Sequence, residues 1–135
     1  MTTDLNFAAA RDQMQAFKHA QLVRYAVAWM REAMKRPAEM FTCDIVPDWA
    51  QPKNGPGLAG SAAAMLVNAH VIDPVLVGSE MTGWTKLRRP SARPTRNGAA
   101  VTVYRLTSVG YSEAFLLANG AAVAPQAEQG QMALG

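Results

Sequence analysis

The residues best equipped for chemistry in this chain are its arginines. The stretch "RRPSARPTRNG", residues 88–98, sets Arg88, Arg89, Arg93 and Arg96 around Pro90, Pro94 and an Asn97-Gly98 pair. From Met81 to Ser112 there are six basic residues, with Lys86 and Arg105 completing the set, and no acidic one. The other seven bases share the rest of the chain with all ten acids, so a net charge of +3 conceals one strongly positive segment. A segment of this kind is suited to anions. The planar, permanently charged guanidinium matches phosphate oxygens. Each nucleic-acid phosphate it neutralises releases condensed counterion. Pro90 and Pro94 stiffen the stretch and reduce the entropy lost on binding, while the backbone at Asn97 and Gly98 adds donors. The competing reading is a solvated loop whose arginines pair with acids elsewhere in the fold.

No catalytic constellation accompanies the arginines. His19 and His70 are isolated, without a second ligand at metal spacing, and His70 at the apolar end of a helix reads as a structural histidine. Cys43 has no basic or histidine neighbour to activate it and reads as a small buried thiol. Asp44 and Asp48, four residues apart, lack the third acid of a metal nuclease and read as helix-start charges. "GPGLAG" (55–60) lacks the Gly-Lys-Ser/Thr of a phosphate loop. The sequence therefore predicts no enzyme, no cofactor and no bound metal.

The elements that must position the arginines follow from periodicity. Residues 5–36 read as helix: they contain no Gly or Pro, Asp4 or Asn6 is available as cap, and Pro37 ends the run. Its apolar stripe changes phase. Phe7, Ala10, Met14 and Phe17 form one face, while Leu22, Ala26, Trp29 and Ala33 form another about a third of a turn away. Either the helix breaks near Lys18–Gln21 or one long helix meets two surfaces. A helical arm (1–20) on a core helix is expected, and the arm is free for a partner or a second copy. A short helix capped by Thr42 (39–50), an emphatic turn at "QPKNGPG" (51–57) and a second helix over 57–71 come next. Leu58, Ala62, Met65, Leu66 and Ala69 make that helix's buried face, with Gly60, Ser61, Ala64 and Asn68 opposite.

Residues 71–77, 84–88 and 99–108 are β-leaning, the last being the best strand, and Asn97-Gly98 suits a hairpin turn. One hairpin with a long basic loop is expected. A helical turn or two follows near 108–120, and the small, polar residues after 119 read as a tail. At 135 residues, half of them hydrophobic and only one of them Cys, the chain has enough material for one core and no disulfide framework. No apolar run is long enough to span a bilayer, and the N-terminus lacks a signal-peptide layout. A soluble, cytoplasmic protein is expected, with a winged-helix domain over 21–110 and a C-terminal extension over 111–135.

The order helix, short helix, turn, helix, hairpin is the α+β, mostly helical layout of a winged helix-turn-helix, whose wing contacts the DNA backbone or minor groove. The run "GLAGSAAAMLVNAHVIDPV…RRPSARPTRNGAAVTVYRL" resembles small phage- and prophage-encoded winged-helix proteins. Those have an Ala-rich helix ending in "VI-x-P", an "RPS-x-R" loop and a "V-x-V-Y/W-R" strand. The resemblance spans residues 57–106 and departs from the pattern by inserting "GSEMTGWTKL" before the arginines, which predicts a longer hairpin. It implies DNA binding in phage replication, recombination or regulation.

The expected nucleic-acid contacts are Lys53, Ser61, Asn68, Lys86, Arg88, Arg89, Arg93, Arg96 and Asn97, with duplex DNA as the favoured partner. Lys53 stands before the second helix, where free amides favour phosphate. Ser61 and Asn68 offer little base information beside Gly60 and Ala64, so backbone contacts should dominate. Trp84 and Tyr104 are candidates for base stacking or for the core. A second function class is a phage-encoded module that docks on a host nucleic-acid machine and inhibits or adapts it, as an anti-defence protein does.

Overall fold

The computed structural model describes residues 2–52, 57–93 and 98–123. Over these residues the fold is α+β, with three α-helices and small antiparallel strand pairs. Helix α1 (Thr2–Ala33) is one uninterrupted helix. Its amphipathic phase shift is accommodated without a break: residues 9–20 stand exposed, whereas Tyr25 to Met30 are all buried. The helix ends three residues before the expected Arg36. Lys35 and Arg36 donate to the carbonyls of Glu32 and Ala33, tightening the last turn ahead of Pro37.

Instead of one short helix, residues 42–50 form two single 3₁₀ turns, Cys43–Ile45 and Asp48–Ala50, separated by Pro47. Thr42 caps the first as expected, its Oγ1 accepting from the Asp44 amide at 3.1 Å. Helix α2 (Ala59–Asn68) buries Ala62, Ala63 and Leu66 and leaves Gly60, Ser61, Ala64 and Asn68 exposed. It is shorter than the predicted 57–71, and Ala69 lies outside the core. The helix stops in a Schellman turn: His70 N–H donates to Val67 O and Val71 N–H to Leu66 O. His70 occupies the left-handed position of that turn (φ 62°), where glycine is the usual occupant.

The β region departs from the single long hairpin. Three extended stretches each change partner at their midpoint, giving β1 (Ile72–Pro74) and β2 (Leu76–Ser79), β3 (Gly83–Lys86) and β4 (Arg88–Pro90), and β5 (Ala100–Thr102) and β6 (Tyr104–Leu106). The pairs are β1–β6, β2–β3 and β4–β5, all antiparallel. At the centre, the three midpoint residues close a ring of hydrogen bonds. Val75 N–H donates to Val103 O (2.9 Å), Val103 N–H to Leu87 O (2.9 Å) and Leu87 N–H to Val75 O (2.7 Å). The inserted "GSEMTGWTKL" does not lengthen the basic hairpin. It folds as a ribbon of its own, closed by hydrogen bonds between Ser79 and Thr82. Glycine is required at 78 (φ 129°), because a Cβ there would lie 2.0 Å from Gly83 O.

The core centres on Trp29. Its ring meets Tyr25, Phe41 and Tyr104 edge-on, with centroids 6.0, 6.0 and 5.7 Å away, and its Nε1 donates to Thr42 O at 3.2 Å. A two-way backbone bridge between Phe41 and Tyr104 ties the loop before the 3₁₀ turns to β6. Helix α3 (Val109–Asn119), longer than the one or two turns expected, is capped by Ser108, and Arg31 Nη2 reaches the carbonyl of Gly120 at its far end (2.9 Å).

Candidate nucleic-acid interface

The arginine segment divides into two parts with different physical roles. Its first half is strand: Arg88 stands opposite Thr102, Arg89 opposite Val101 and Pro90 opposite Ala100. Both arginines are exposed, as are Lys86 at the base of the neighbouring ribbon and Arg105 on β6, where it faces Asp73 across the β1–β6 pair. Lys86 and Arg88 flank Leu87, so their placement follows directly from the hydrogen-bonded ring at Val75, Leu87 and Val103. Two cationic strands thus leave a single junction, and the packed body beneath fixes their direction.

The second half of the segment is a lock. Ser91 is buried, and its hydroxyl donates to Asp44 Oδ1 at 2.6 Å while the Ala92 amide donates to Oδ2 at 2.8 Å. Arg93 follows, with only 19% of its side chain exposed. It donates through Nη1 to Asp48 Oδ1 (2.7 Å) and through Nη2 to the carbonyls of Asp44 (3.2 Å) and Val46. Arg93, expected among the nucleic-acid contacts, thus differs from the exposed Arg88 and Arg89 in what its guanidinium touches. Its guanidinium is spent on the acidic 3₁₀ turns, and Asp44 and Asp48 anchor the loop as well as starting those turns. A complementary pattern was present in sequence, two acids in a Pro-interrupted turn and a Ser-x-Arg in an acid-free stretch, but some 47 residues separate the partners.

The remaining expected contacts are scattered. Ser61 and Asn68 are exposed on the outer face of α2. Lys53, Arg96 and Asn97, like the Asn97 half of the hairpin turn, lie outside the described residues; Gly98 has the expected positive φ (75°). Of the two aromatic candidates, Tyr104 packs on Trp29, and burial pushes its phenol above the ordinary 10.0, while a hydrogen bond with Thr102 and the charge of Arg88 act the other way. Trp84 is 59% exposed on β3, opposite Gly78, with Leu76 and Val77 also exposed on the same ribbon.

No protein-family model, curated protein or solved structure matches the chain.

Elsewhere, Arg24 is taken up by Trp49: its guanidinium lies 5.1 Å from the ring centroid and donates to Trp49 O at 3.2 Å. His70 is exposed, and its carbonyl accepts from Thr107 Oγ1. Among the described residues, no group of three or more His, Cys, Asp or Glu is placed to hold a metal, and no helix is long and apolar enough to cross a membrane. What the arrangement offers chemically is a rigidly based array of exposed cations.

Proposed function

We propose that the protein binds duplex DNA through the phosphate backbone, using Lys86, Arg88 and Arg89 on the two ribbons, in the manner of a winged helix-turn-helix. The observation that carries this reading is the exposure of three cations in four consecutive residues, on strands fixed at one hydrogen-bonded junction. A pre-ordered array loses little entropy on binding, so its charge is converted efficiently into affinity. The order α1, 3₁₀ turns, α2, ribbons supports the winged-helix comparison. Lys53, Arg96 and Asn97 complete the expected contact set, whereas Arg93 supports it by anchoring the loop.

Sequence discrimination is weak on this reading. The outer face of α2 presents Gly60, Ser61, Ala64 and Asn68, which give few hydrogen bonds to base edges. A role in phage or prophage DNA metabolism or regulation accords with such a backbone-dominated protein. Binding to random-sequence duplex, single-stranded DNA and RNA probes at two salt concentrations tests the proposal. Duplex binding that weakens steeply with salt supports it, and absence of binding to all three polymers refutes it.

One observation favours a second reading, docking on a protein of a host nucleic-acid machine. The β2–β3 ribbon exposes Trp84, Leu76 and Met81, a side-chain set typical of protein contacts. Capture of a host protein that survives nuclease treatment, by a chain with no affinity for free DNA, selects this reading over the first.

A further inference from the structure

We infer that the exposed arm of α1 is a self-pairing surface, and that two copies of this chain associate through it as an antiparallel two-helix coiled coil. The inference does not depend on nucleic-acid binding. Its first support is placement. Helix α1 continues without a break from the body into the arm, yet Met14 and Phe17 on that arm are 60% and 64% exposed. They line an apolar groove with Ala10 between Gln13, Lys18 and Gln21. A helix of this length exposed on every side has no packing to hold it, and packing is what stabilises most helices in proteins.

The second support is spacing. Phe7, Ala10, Met14 and Phe17 are separated by three, four and three residues, the a and d spacing of a heptad and not the broader stripe of a helix lying on a globular core. Large and small residues alternate in a way that favours one orientation. In an antiparallel pair a faces d, so Ala10 meets Met14 of the second copy and position 7 meets position 17. A parallel pair stacks Ala10 on Ala10, which leaves a gap, and crowds both bodies at one end.

The third support is that this register is compatible with the body. When Ala10 lies beside Met14, Leu22 lies beside position 2 of the other copy. Leu22 is where α1 enters the body, and there a cleft of about 450 Å³ opens between Lys18, Leu22, Pro52 and Leu58. The whole apolar stripe is therefore covered before the body obstructs the second helix. At a rise of ~1.5 Å per residue, the two points of entry stand roughly 30 Å apart along the pair, one body at each end. Charge agrees at the flanks: positions 4 and 18, an Asp and a Lys, align twice by symmetry, and Gln13 meets Gln13. Arg11 approaches Arg11 on the flank opposite Gln13, the like-charge contact of this register.

Sedimentation of the full chain without nucleic acid tests the pairing. The weight-average mass should climb with concentration from 14.5 kDa toward twice that value. The M14K/F17K variant should associate at least about tenfold more weakly, while its near-ultraviolet circular dichroism, which reports the buried Trp29 cluster, stays unchanged. Orientation is read by mild oxidation: A10C mixed with M14C should form a mixed disulfide faster than either variant cross-links alone. A chain that stays monomeric into the near-millimolar range overturns the inference, as does a variant M14K/F17K that associates like the parent. Cross-linking of A10C alone as fast as the mixture overturns the antiparallel arrangement.

Discussion

Substituting Arg93 by alanine should destabilise the fold, whereas substituting Arg88 or Arg89 should not. The visible ion pair of Arg93 is the smaller part of the effect. Asp48 is 95% exposed, so its attraction is screened by water and contributes at most about 1 kcal/mol. The carbonyls of Asp44 and Val46 matter more, because hydrogen bonds from a charged donor contribute roughly 1.5–3 kcal/mol each. Val46 O retains a weaker donor, Gln51 Nε2 at 3.4 Å, which offsets part of the loss. A net cost of about 2–3 kcal/mol follows, or a fall in Tm of roughly 6–9 °C at ~3 °C per kcal/mol for a chain of this size. Exposed Arg88 and Arg89 should each change stability by no more than about 0.5 kcal/mol on truncation. R93K should recover only part of the loss, since an ammonium lacks the fork that reaches carboxylate and carbonyls together. Thermal melts of the four variants, checked by urea unfolding, decide the matter. An R93A protein melting within a degree of the parent would refute the division of the arginines into anchors and free cations. Neutralising all four arginines together cannot make the distinction, because it confounds lost charge with a loosened loop.

Two other outcomes follow from local geometry. H70G should raise stability by about 1 kcal/mol, since it removes a side chain from a left-handed backbone position in an otherwise intact Schellman turn; equilibrium unfolding measures it. Tyr104 makes stability fall in alkali. Its folded pKa is raised by burial, so the stability linked to its neutral phenol is fully present below the unfolded value of about 10 and is lost as pH rises through the folded value. Y104F should flatten that alkaline decline in pH-dependent melts.

The parts of the fold legible in the sequence were those fixed by local physics. The arm and core helix came from composition and phase, the cap at Thr42 from its hydroxyl, and the exposed face of α2 from its small residues. The three β-leaning stretches were also visible, but their pairing was not. Partner exchange at Val75, Leu87 and Val103 depends on three backbones meeting at one point, and alternation along a single strand carries no record of that. The site shows the same limit. Charge density identified the arginine segment, and Lys86, Arg88 and Arg89 do stand exposed on it. Nothing local distinguished Arg93 from its neighbours, because its partners arrive from the 3₁₀ turns far back in the chain. The assignment of Ser91 was hidden for the same reason: a serine in a basic loop reads as solvated until Asp44 is placed beside it.

We propose that exposed Lys86, Arg88 and Arg89 supply phosphate contacts from β3 and β4, while Arg93 anchors the loop that follows them. The most direct measurement is the salt dependence of duplex affinity, by fluorescence anisotropy, for the parent and for K86A/R88A/R89A. Each phosphate contact contributes ~0.9 to the slope of log affinity against log salt, so losing three should flatten it by roughly 2.7, with thermal stability kept. An unchanged slope and affinity in the triple variant would contradict the account.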